Sequence, residues 1–125
     1  MSDKGRILVV GAVSKEFDHV QAYLPDWDCT AICLKEEGNE ILPPLPPDAK
    51  MILVYAHKKE ANTISICRYL RESPETKNVP LLLVVSRYNI AQSYPVRRMG
   101  NSSFIIGPFT QKELQDKIKE LFNPS

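Results

Sequence analysis

Six consecutive apolar residues, Met51 to Ala56, read MILVYA between Lys50 and His57. A run of that length bounded by polar residues predicts a strand covered on both faces, as in the middle of a parallel sheet. In open α/β sheets, ligands and chemistry gather at the carboxyl ends of the strands. Here that end carries Tyr55, Ala56, His57 and Lys58, with no carboxylate among them.

The 125 residues suit one domain, 1–125, with a core over about residues 5–122. Apolar residues make up 43% and charged residues 25%, the balance of a globular chain rather than a disordered one. A net charge of +1 provides no overall field toward nucleic acid or an anionic membrane, so neither is expected as a partner. The start, MSDKGRILVVGAVS, lacks a signal-peptide pattern. No run approaches the ~18–20 apolar residues of a membrane span, and a cytoplasmic protein without membrane insertion is expected. Three cysteines, Cys29, Cys33 and Cys67, have no metal-type spacing. Along a strand Cys29 and Cys33 lie about 13 Å apart, too far for a disulfide. They read as small buried thiols.

Arg6 to Val10 is a first buried strand. Phe17, Val20 and Leu24 share one face of a helix over Ser14 to Leu24, which Ser14 is placed to cap and Pro25 to end. Cys29 to Leu34 is expected as an edge strand, and only Glu36 to Leu42 of the proline-rich segment that follows can be helical. Asn62 to Arg71 is a helix burying Ile66, Cys67 and Leu70. Val79 to Val85 is a fourth strand, with Pro80 tolerated near its start. Asn89 to Met99 is a helix that Pro95 should break at a cost of about 3 kcal/mol. Ser103 to Ile106 is the fifth strand. Thr110 to Glu113 forms a capping box for the last helix, whose buried stripe is Leu114, Ile118, Leu121 and Phe122. Five strand–helix repeats predict a doubly wound α/β fold of flavodoxin-like type, a five-stranded parallel sheet in strand order 2-1-3-4-5.

Two stretches carry a family likeness. ICRYLRESPETKNVPLLLVVS (66–86) is similar to the third helix, P-x-T-K-x-x-P connector and fourth strand of response-regulator receiver domains. Met99 to Phe109, MGNSSFIIGPF, is similar to that family's G-A-D-D-Y-L-x-K-P-F segment. The likeness covers about nine-tenths of the chain and identifies it as a CheY-like receiver. It implies phosphoryl transfer onto an aspartate, with an acidic pair holding magnesium, a hydroxyl after strand four and a lysine after strand five. Carried over position by position, these five places hold Gly11 and Ala12 (the acidic pair), Tyr55 (the acceptor), Val85 (the hydroxyl) and Gly107 (the lysine). Lys59 and Thr63 stand where the family has proline and glycine. The likeness supports the fold and argues against the activity: a pseudo-receiver, not an enzyme, with no cofactor and no metal.

Other residues are poor replacements. Asp48 lies about 23 Å from Tyr55 along the strand. Asp18 faces outward on the first helix, and Ser86 points to the opposite side from Val85. Glu60 alone does not suffice for magnesium. Tyr55 is expected to fill the vacated space rather than to be phosphorylated. His57, Lys58 and Lys59 form a basic cluster suited to an anion or an acidic partner, against the alternative of a solvated loop. Gly11-Ala12-Val13-Ser14 lacks the later glycines of a dinucleotide loop.

Phe104 occupies the family's aromatic switch position, opposite a valine that cannot form the usual hydroxyl coupling. Tyr94, Arg97, Arg98, Lys112, Gln115 and Lys119 are the residues expected on an interaction face. The leading expectation is a phosphorylation-independent protein-interaction module in bacterial two-component or phosphorelay signalling. Its partner is a kinase, an effector or another receiver, and the chain itself is a monomer or weak homodimer. The alternatives are a divergent receiver phosphorylated by a non-standard route, and a small-ligand or anion sensor at the strand ends.

Overall fold

The computed structural model describes residues 5–32, 45–56 and 60–122, with only the backbone of residues 60–62. The elements are β1 (Gly5–Val10), α1 (Ser14–Tyr23), β2 (Trp27–Ile32), β3 (Ala49–Tyr55), α2 (Glu60–Glu72) and β4 (Leu81–Val85). A 3₁₀ turn (Ile90–Gln92), α3 (Ser93–Arg97), β5 (Ser102–Ile106) and α4 (Gln111–Phe122) complete the order. The five strands are parallel and run β2-β1-β3-β4-β5, the expected order.

The MILVYA run lies in the middle of this sheet, and alternate side chains of β3 supply two cores. Ile52, Val54 and Ala56 join Leu8, Val10, Leu81 and Leu83 beneath Ile66, Cys67 and Leu70 of α2 and Val96 of α3. Met51, Leu53 and Tyr55 join Ile7, Val9, Leu82 and Val84 beneath Val20 of α1 and Leu114 and Ile118 of α4. Burying each large aliphatic side chain contributes about 1.5–3 kcal/mol, which is why no polar residue interrupts β3 after Lys50. The Cys67 thiol is fully buried, and desolvation pushes its pKa up to about 12, so it behaves as a small hydrophobe.

Side-chain anchors close the amino-terminal end of the sheet. Arg6 reaches Asp48 at 3.0 Å, Thr30 Oγ1 at 2.6 Å and Asp28 at 3.6 Å, joining three segments. The β1–β3 register shifts between Arg6 and Ile7, leaving Lys50 as the extra residue. Gly5 beside it has φ +117°, and a Cβ there would meet Lys50 Cγ at 2.6 Å. Arg71 of α2 donates to the carbonyls of Thr76, Val79 and Asn101, linking the α2–β4 connector to the start of β5. Thr76 Oγ1 returns a bond to Leu70 O at 2.6 Å.

Several boundaries differ from expectation. β2 begins at Trp27 rather than Cys29, because parallel pairing with β1 sets Gly5 opposite Trp27. Glu36 to Leu42 and Cys33 lie outside the described residues. β4 starts at Leu81, after Pro80, whose carbonyl still accepts from Ile52 N–H at 2.9 Å. Ser14 is not a cap. Val13 holds that place, and its N–H donates to Glu16 Oε1 at 2.9 Å. Pro95 costs less than expected: the helix begins at Ser93, so the proline falls in the first turn, where N–H groups have no intrahelical partner. Phe122 is 41% exposed rather than core, and its ring stacks on Trp27. The Thr110–Glu113 box forms as expected, at 3.0 and 3.1 Å.

Replacing Arg71 by Met is expected to lower unfolding free energy in urea by roughly 2–4 kcal/mol, since the carbonyls of Thr76, Val79, Gly100 and Asn101 lose a charged donor at once. Arg71→Lys should recover only part of this, having no planar fork.

Candidate functional site

Three of the five strands, β3, β4 and β5, end around one hollow of about 370 Å³ at the carboxyl edge of the sheet. Its wall includes Tyr55 and Ala56 from the end of β3, Val84, Val85, Ser86 and Asn89 from β4 and its loop, and Gly107, Pro108 and Phe109 after β5. Glu16, His19 and Tyr23 of α1 close the remaining side. The structure thus brings together Tyr55, Val85 and Gly107. Gly11 and Ala12 are not among the lining residues, though Ala12 packs against the same core as Tyr55. His57, Lys58 and Lys59 lie outside the described residues.

Tyr55 is 6% exposed, and its ring belongs to the α1/α4-side core. Burial, and secondarily the Glu16 carboxylate, raises the phenol well above the ordinary tyrosine range, so it stays protonated at neutral pH. His19 stacks on Tyr23 at 6.1 Å between ring centroids, and Tyr23 meets Phe109 edge-on at 6.3 Å. These rings form a continuous aromatic wall.

The β4 loop is closed by the side chain of Asn89, which sequence reasoning missed. Asn89 Oδ1 accepts from Ser86 N–H at 2.6 Å and from Ser86 Oγ at 3.2 Å. Its Nδ2 donates to Ala56 O at 2.8 Å, tying the end of β3 to the loop after β4. The Asn-after-Ser spacing suggests a local turn, but the bond to Ala56 spans 33 residues and has no sequence signature.

Magnesium does not fit this donor set. The ion takes hard oxygen ligands in octahedral geometry, usually including carboxylates. Glu16 is the one acidic side chain among the described lining residues, and its Oε1 already accepts from Val13 N–H. Among the described residues, no group of three or more His, Cys, Asp or Glu side chains converges. A Cβ on Gly107 would meet Val84 Cγ1 at an ordinary 3.7 Å, so the hollow does not sterically require glycine there.

On the far side of β5, Phe104 is half-buried between two cations. The Arg97 guanidinium lies 5.3 Å from its ring centroid and the Lys117 ammonium 5.8 Å. Tyr94 is 56% exposed beside Arg97 on α3, and Arg98 is also exposed. The α4 residues expected on this face fall elsewhere. Gln115 donates to Tyr23 O at 3.1 Å, and Lys119 lines a small hollow with Leu24, Pro25 and Trp27, both toward α1. Lys112 is exposed and paired with Asp116 at 2.7 Å. At 3.6 residues per turn, Lys117 is the α4 cation in phase with β5, and the six residues do not make one face.

No family model matches the sequence. The chemotaxis protein CheY of Pseudomonas aeruginosa is 25% identical over 118 residues, 94% of this chain and 95% of that protein. The phosphate regulon transcriptional regulatory protein PhoB of Rhizobium meliloti is 28% identical over 58 residues, 46% of this chain. That match spans only 26% of the regulator's length. Among solved structures, a signal receiver domain from Clostridium thermocellum superposes with TM-score 0.76 at 13% identity, covering 96% of this chain and 98% of that one. The chemotaxis response regulator CheY4 of Vibrio cholerae gives 0.70 at 12% identity, covering 93% and 97%.

Asn89→Ala should cost roughly 1–3 kcal/mol by leaving the Ser86 N–H and Ala56 carbonyl without their partner. Hydrogen exchange at Ser86 should accelerate with the same substitution, while exchange in β1 should not.

Proposed function

Since the chain is a relative of the CheY-like response-regulator receiver domains, we propose that it is a pseudo-receiver: a cytoplasmic signalling module that contacts protein partners without being phosphorylated. The observation that carries this reading is the lining of the strand-end hollow. A phosphoryl group arriving there with magnesium needs carboxylates for the metal and cations or donors for the developing charge. The acceptor, hydroxyl and lysine positions are instead a buried phenol, a valine and a glycine.

Two features support a domain held in one arrangement. Asn89 ties the β4 loop to β3 through bonds of 2.6 and 2.8 Å made by the protein's own groups. Phe104 rests between Arg97 and Lys117 rather than opposite a hydroxyl, with Val85 in the adjacent strand. Signalling then runs through surface shape and charge. The face we assign to a kinase, an effector or another receiver comprises Tyr94, Arg97, Arg98 and Lys117, basic and partly aromatic, suited to an acidic partner.

Titration with magnesium and beryllofluoride, followed by amide chemical shifts, tests the proposal. No saturable change is expected at residues 53–56, 84–89 or 104–109 in the millimolar range. Saturable shifts confined to those strand ends would favour a divergent receiver that still accepts phosphate.

A further inference from the structure

β5 is the last strand of the sheet, and one of its sides has no neighbouring strand. In a parallel ladder, the backbone N–H and C=O of one residue point to the same side, and successive residues alternate. Leu81 N–H donates to Asn101 O at 3.1 Å and Gly107 N–H to Val85 O at 2.7 Å, so residues 101, 103, 105 and 107 face β4. The backbone groups of Ser102, Phe104 and Ile106 therefore face away from the sheet. They have no hydrogen-bond partner among the described residues. The Ile106 side chain at the end of this row is 40% exposed.

An open edge is a template for a further strand, and proteins commonly guard it with a charge or a proline in the strand itself. Ser102–Ile106, SSFII, has neither. The charges flank it instead. Arg97 of α3 and Lys117 of α4 come from opposite layers of the fold and meet at the Phe104 ring, 5.3 and 5.8 Å from its centroid. Lys117 also pairs with Glu120 at 3.7 Å, while neither Arg97 nor the exposed Arg98 has a carboxylate partner among the described residues. A second copy laid along this edge would bring these cations against their own counterparts, whereas an acidic strand would meet them with opposite charge. We propose that β5 receives an extended acidic segment of a partner protein by strand addition. The segment's main chain bonds to Ser102, Phe104 and Ile106, and its carboxylates meet Arg97 and Arg98. The inference rests on the assignment of the Tyr94, Arg97, Arg98 and Lys117 face to a protein partner, and adds to it the backbone edge and the conformation of what docks there.

Two short acetylated peptides, one alternating valine with glutamate and one alternating valine with lysine, are the probes. Each is titrated into the full chain and followed by amide shifts and hydrogen exchange. The glutamate peptide should saturate and bind at least about tenfold more tightly than the lysine peptide, with the difference shrinking at high salt. Its complex should slow exchange at Ser102, Phe104 and Ile106 and leave Ser103 and Ile105, already bonded to β4, unchanged. Ile106→Pro removes an outward donor but no bond to β4, at a place where edge strands accept proline, and should weaken the glutamate peptide about tenfold. Arg97→Gln, which leaves the strand itself intact, should weaken it several-fold. Saturable binding without slowed exchange at the three outward positions overturns strand addition and leaves the partner face standing. The inference is also overturned if the glutamate peptide gives no saturable shift or the lysine peptide binds as tightly. Sedimentation of the free chain should show a monomer; a dimer with the same alternating protection would assign the edge to a second copy and overturn the acidic partner. Saturable beryllofluoride shifts at the strand ends would count against the phosphorylation-independent reading alone.

Discussion

A strand with no exposed face must lie between two neighbours and beneath helices on both sides. β3 meets that requirement between β1 and β4, and its residues from Met51 to Tyr55 are all buried. Parallel neighbours force every connection to cross over a face of the sheet, and all five strands then end at one edge. The site is a consequence of this arrangement. Whatever side chains the strand ends carry are brought together, whether or not they are chemically useful.

Among the described residues, the hollow at the strand ends brings together rings, hydrocarbon and one carboxylate. The buried Tyr55 phenol extends the core to the edge of the sheet, where a charged acceptor would have had to be solvated or paired. The Asn89 amide supplies from within the fold the polar contacts that tie β3 to the β4 loop. The opposite end of the sheet is closed by Arg6 and Arg71, so both ends of the strands are anchored by side chains of the protein itself. Phe104 lies half-buried on β5 between Arg97 and Lys117, and Lys117 also pairs with Glu120 at 3.7 Å.

Much of this was legible in the residues. MILVYA, ILVV and VPLLLVV declared buried parallel strands through unbroken hydrophobicity, and the Thr110–Glu113 spacing fixed the start of the last helix. Strand order followed from topology, and the choice of Tyr55, Val85 and Gly107 from the likeness to receiver domains. Features that depend on partners distant in sequence were not legible. Pairing with β1, rather than local alternation, set where β2 begins. Helix phase moved Gln115 and Lys119 toward α1 and brought Lys117 to Phe104, because a one- or two-residue step turns a side chain by 100° or 200°. Pro95 looked like a break until the helix start placed it where no donor is lost. The Asn89–Ala56 bond and the aromatic wall needed coordinates, since neither follows from spacing along the chain.

The most direct measurement of the central claim is intact-mass spectrometry of the chain after incubation with acetyl phosphate and magnesium, beside an active receiver as control. The account predicts an unchanged mass while the control gains a phosphoryl group. A stoichiometric, acid-stable or acid-labile phosphoryl gain on this chain would contradict it.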